Sequence, residues 1–242
     1  MARTGTAQTM TRAGRGREHA DTRRPVLPVV LGLLLLGMTL LFVQAVGLAF
    51  TLAGLNPYAA AVVLLAGLLG SVIDIPVARI ARRPSRAVYR IRAWDATTVL
   101  VSVPEPRRTV VAVNLGGAVI PAGVSVYLAA RTGLWVDAVA AVAVVGVVTH
   151  LLARPIPQVG ITLPPLIPAL TAAITATVLN PPQGAAALAY IAGTTGTLVG
   201  ADLTHLGALR KMGAPVVSIG GAGTFDGVFL CGIFAVLLAA FL

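Results

Sequence analysis

Charge is what this sequence has least of: only 11% of its 242 residues are Asp, Glu, Lys or Arg, where an average soluble domain carries about 25%. With 57% hydrophobic residues and a mean hydropathy of +0.91, the composition excludes a chain that meets mainly water. Cysteine is nearly absent. Cys231 alone rules out an intramolecular disulfide, and within the last apolar stretch it reads as a small packing residue. Three histidines, His19, His150 and His205, at unrelated spacings beside that one cysteine do not compose a zinc site. A nucleophile elbow is missing, which removes Ser/His/Asp hydrolysis, and the Gly-rich segments lack the lysine and strand context of a phosphate-binding loop. Nothing calls for a cofactor.

What is present is long apolar runs. Residues 1–26 form a polar, Arg-rich tail (Arg3, Arg12, Arg15, Arg17, Arg23, Arg24) without periodicity, expected to be disordered. Residues 27–242 read as one membrane domain. The run from Pro28 to Leu55 is far longer than a signal-peptide core of about 7 to 15 residues, so it predicts an uncleaved first span. Further spans are expected at Tyr58–Ile80, Val110–Ala130, Trp135–Leu152, Leu163–Leu179, Gly184–Leu206 and Val216–Leu242. The fold class is therefore an all-α polytopic membrane protein of about seven transmembrane helices. Ala, Val, Gly and Leu dominate and aromatics are 5%, which suits helices whose small residues let backbones approach.

The formal charge of +10 raises nucleic-acid binding, but position decides against it. Assigning alternate loops to alternate sides puts 17 of the 18 basic residues on one side and leaves Arg131 on the other. Basic loops stay in the cytoplasm, so the N-terminus is expected inside, with anionic lipid headgroups as the partner of the arginines. In the loop between the second and third spans, Thr97–Val103 and Thr109–Val113 are Val/Thr-rich around Pro104-Glu105-Pro106. A small β-hairpin or an extended linker both fit that pattern.

An ionisable group inside a span costs roughly 2.5 to 3.5 kcal/mol, which singles out Asp74, Asp202 and Asp226. With Asn114, His150 and His205 they fall in the cytoplasmic half of their spans. They could converge on a site for a small solute or ion, or each could sit locally at a helix end. For Asp226 the local reading is a helix starting near Thr224, whose first turn favours a carboxylate. Val113-Asn114-Leu115-Gly116-Gly117-Ala118 is echoed by Val217-Ser218-Ile219-Gly220-Gly221-Ala222, and Gly70 to Asp74 by Gly200-Ala201-Asp202. Gly-interrupted segments at matching positions of two parallel repeats point to a transporter site, which adds Gly220, Gly221 and Gly223 to the candidate ligand set.

At these segments the chain resembles the prokaryotic membrane-protein family described as domain of unknown function 1614. Val113–Pro121, Arg154–Ala169, Gly193–Leu203 and Ala214–Leu230 carry the likeness, which spans roughly Val29 to Leu242. The resemblance implies a multi-pass protein of the cytoplasmic membrane and assigns no activity. A second similarity is to presenilin-type intramembrane aspartyl proteases, which would make Asp202 and Asp226 a catalytic pair sharing a proton. Those enzymes carry Gly-x-Gly-Asp, whereas Gly223 precedes Asp226 by three residues and Pro168-Ala169-Leu170 comes before both aspartates. Three functions stay open at this point: an intramembrane solute or ion site, a di-aspartyl protease and a non-catalytic membrane scaffold.

Overall fold

The computed structural model describes residues 26–81, 86–92, 98–104, 108–156, 160–164, 166–180, 184–209, 216–221 and 225–242; side chains are described outside 82–107 and from 28 on, except at 160, 208–209 and 225–226. The expected basic tail, Val26 apart, and Gly223 lie outside these residues, as does the side chain of Asp226. The chain divides into two compact units, one ending at Leu41 and one running from Phe42 to Leu242. In the first, Leu33, Leu35, Met38 and Leu41 are 63–72% exposed, an apolar surface of a kind that water-soluble monomers rarely show in one patch.

Helices dominate. Helix α1 is Val26–Leu52 and α2 is Pro57–Gly70. Asn56 caps α2, its side chain accepting from Ala59 N at 2.7 Å, and Pro57 occupies the first turn, where its missing N–H is harmless. The second span, expected to reach Ile80, stops ten residues short of that. Ser71 closes α2 and strand β1, Asp74–Ala81, takes over. Pro76 is the reason: it cannot donate within a helix, and it disfavours helical geometry at Ile75. The same proline coincides with a register shift between Pro76 and Ala78 in β1.

Strands β2, Arg86–Arg92, and β3, Thr98–Pro104, pair antiparallel, and β1 pairs antiparallel with β4, Arg108–Asn114. A β-hairpin thus exists between the second and third helices, but its partners differ from the expected ones: Thr98–Pro104 pairs backward with β2, not forward with the strand after it. The two proline-flanked segments lie in different sheets, Thr98–Pro104 beside β2 and Arg108–Asn114 beside β1.

Beyond β4, π-helical turns at Leu115–Val119 lead into α3, Ile120–Thr132, followed by α4, Trp135–Leu152. A short pair, β5 (Arg154–Ile156) and β6 (Gly160–Thr162), precedes α5, Leu166–Leu179. Helix α6, Ala185–Ile191, continues through π-helical segments Ala192–Gly196 and Leu198–Leu203, and α7 is Leu206–Leu209. Strand β7, Val216–Ile219, lies parallel to β4, and α8, Phe225–Ala239, ends the fold. Everything from α3 to α7 is therefore one crossover between two parallel strands.

Three helical stretches, Pro28–Leu52, Leu115–Thr132 and Trp135–Leu152, are long and apolar enough to cross a membrane; Pro57–Gly70, Leu166–Leu179 and Gly227–Ala239 are apolar but shorter. The main core is built largely from alanine. Ala49, Ala141, Ala172 and Ala176 are fully buried among Val46, Leu128, Leu188 and Val236, and Phe50 meets Tyr190 with ring centroids 5.6 Å apart.

Candidate functional site

The connections of the bundle gather at two ends. At one, Arg131 donates to the carbonyl of Gly54, and Asn180 Nδ2 donates to Asp137 Oδ2 at 3.2 Å. At the other end lie all of the polar residues that the sequence singled out and the structure describes. Strand β4 is central there, between β1 and β7, with Thr109, Val111, Ala112 and Asn114 buried.

Asn114 ends β4 and caps the helical turns that follow. Its Oδ1 accepts from Gly117 N at 2.8 Å, while Nδ2 donates to Ser71 O at 2.8 Å and to Asp74 Oδ1 at 3.0 Å. Ser218 of β7 donates to that same Asp74 oxygen. In the internal echo, Asn114 and Ser218 occupy equivalent positions, so the two copies of the motif converge on one carboxylate. The echo thus carried the signal for Ser218, which residue-type reasoning alone passed over because serine in an apolar run is cheap.

The second carboxylate anchors two residues further on. Asp202, 2% exposed in a π-helical segment, accepts from the backbone N–H of Gly220 at 2.6 Å. Gly220 has φ +68°, the left-handed region that favours glycine, and a Cβ there would sit 2.7 Å from the Gly117 carbonyl carbon. Gly116 is equally constrained: a Cβ would collide with Gly67 O and Ser71 N, so α2 and the π-helical turns touch backbone to backbone. Gly221 is buried beside Ser218. Asp74, Asn114, Asp202, Gly220 and Gly221 therefore share one junction, with both carboxylates fastened to the segment Ser218–Gly220.

Residues 68–238 match the family described as Protein of unknown function (DUF1614). The chain belongs to the DUF1614 family. No curated protein and no solved structure matches it, and the similarity to presenilin-type proteases has no counterpart among these comparisons. The region matched to DUF1614 begins in α2 and contains every residue of the junction, while α1 lies before it.

His150 and His205 form a second cluster at the same end of this DUF1614 chain, their rings 4.6 Å apart. Thr204 links them to α6. Its hydroxyl donates to Gly200 O at 2.6 Å, which leaves it an acceptor for His150 Nδ1 at 2.8 Å. A carbonyl only accepts, so His205 Nδ1, 3.0 Å from Ala201 O, carries a proton. No described hydrogen bond joins this cluster to Asn114 or Asp74; chain continuity from Gly200 through Asp202 to His205 connects them. Asp226 lies in the first turn of α8. Among the described residues no three His, Cys, Asp or Glu side chains group as metal ligands.

Proposed function

We propose that this is a multi-pass protein of the prokaryotic cytoplasmic membrane, N-terminus inside and seven spans in all, whose polar junction binds a small solute or ion and passes it across. The observation that carries the reading is Asp202: a buried carboxylate in a π-helical stretch, hydrogen-bonded to a left-handed glycine turn. π-Helical turns recur at functional sites, and irregular backbone at membrane depth persists only where it faces protein or a water-filled cavity. The shorter apolar helices fit this picture. A helix of 14 residues covers about 21 Å, short of about 30 Å of hydrocarbon, and strands and π turns supply the remainder at the junction end.

The test is flux. In liposomes the purified chain should move one member of a panel of inorganic ions and small polar solutes, and Asp202→Asn and Asp226→Asn should each abolish that movement. Substitutions that lower stability and leave every flux at background would favour the scaffold. Cleavage of a membrane peptide that Asp202→Ala stops would favour the protease.

A further inference from the structure

Helices α3 and α4 and the helix continuing from α6 line a groove of about 690 Å³, to which Asp74 does not contribute. Its floor is carved by small residues, among them Ala122, Ala129, Ala138 and Gly146, and it opens sideways past Val126 and Val139, which are 58% and 70% exposed. It runs from Trp135 at the start of α4 to His150 in its last turn, roughly 22 Å at 1.5 Å per residue. The groove is elongated along α4 and open along one side. A single hydrocarbon chain has the right shape.

Polarity along the groove is uneven. Its lining is apolar except for Ser125 and Thr195 midway, the Trp135 indole at one end, and Thr204 and His150 at the other. Thr195 Oγ1 is buried and has no hydrogen-bond partner among the described residues. Beyond the His150 end come exposed Arg154, and on the strands of the same end of the bundle exposed Arg79 and Arg108. At the opposite end the described basic residue is Arg131, engaged with Gly54, and acidic Asp137, bonded to Asn180, lies at that end too. This distribution fits an anion at the His150 end and bare hydrocarbon toward Trp135.

We propose that the groove holds one acyl chain of an anionic phospholipid, with the phosphate near His150, Thr204 and Arg154 and the chain end toward Trp135. The proposal rests on the reading of α3 and α4 as membrane spans. An anionic phosphodiester and an acyl chain match what the groove presents: the positive charge of Arg154 beyond its polar end, apolar walls along the rest, and lateral access from the bilayer.

The experiment extracts the full chain from membranes into mild detergent, exchanges it against mixed micelles of phosphatidylglycerol and phosphatidylethanolamine, and counts retained lipid by native mass spectrometry. One phosphatidylglycerol per chain is expected. Ala143→Phe and, separately, Val139→Phe fill the groove and should abolish retention, while Arg154→Gln should equalise the two lipids. Protection of the buried Cys231 thiol from maleimide reports that each variant is folded. Equal retention in both filled variants, retention of detergent alone, or no preference for the anionic lipid would overturn the proposal. Recovery of the chain in the soluble fraction would instead sink the membrane reading beneath it.

Discussion

Replacing Gly220 by alanine tests whether the junction is as tightly built as its geometry states. Three costs combine. A side-chain-bearing residue held at φ +68° costs about 1 to 2 kcal/mol. The new methyl carbon would stand 2.7 Å from the Gly117 carbonyl carbon and 2.8 Å from Ala118 N, and since these are backbone atoms no rotamer change relieves the overlap. Any retreat of the turn lengthens the 2.6 Å bond from Gly220 N to Asp202, and a hydrogen bond to a charged group contributes about 1.5 to 3 kcal/mol. Together these come to about 4 kcal/mol, which for a chain of this size lowers the melting temperature by roughly 8 to 16 °C. Cys231, fully buried, supplies the assay: the rate at which a maleimide dye reaches its thiol on heating in detergent reports unfolding. The control is Gly123→Ala, where the added carbon meets open space and a helix-interior alanine is worth up to about 1 kcal/mol in the stabilising direction. If Gly220→Ala and Gly123→Ala unfold within about two degrees of each other, the close-packed junction is wrong.

Two more outcomes follow from the same geometry. Asn114→Ala removes an acceptor for Gly117 N and donors to Ser71 O and Asp74, a loss of about 3 kcal/mol with two backbone groups left unpaired; Asn114→Ser, which keeps only the cap, should recover part of it in the thiol-labelling melt, and equal melts for the two variants would remove the capping role. On a Cys231→Ala background, Tyr58→Cys should react with a membrane-impermeant maleimide in intact cells, and Arg154→Cys only after the membrane is opened. The reverse pattern would invert the proposed orientation.

The motifs Val113 to Ala118 and Val217 to Ala222 were visible as an echo because glycine and small polar residues stand out in an apolar run. That the two copies begin where β4 and β7 pair in parallel was not visible, since pairing across a hundred residues leaves no local periodicity. The apolar runs marked out helices correctly in place and poorly in extent. Hydropathy does not distinguish Val72 to Val77 as helix from the same residues as strand, and only Pro76 hinted that α2 would stop before them. The π-helical turns of α6 escaped sequence reading altogether. They arise where Gly193, Gly196 and Gly200 let α8 and α4 approach the backbone, a constraint that exists only once those helices are neighbours.

Sequence by itself determined the solvent: too few charges and too many uninterrupted apolar residues for water, a property of composition that no arrangement of the chain can reverse. It also chose which few polar groups had to be accounted for. Which of those groups meet was decided by the tertiary structure. Asp74, Asn114 and Ser218 share a carboxylate oxygen because β4 lies between strands from distant parts of the chain, and hydrogen bonds are directional over about 3 Å, a scale that chain order does not specify.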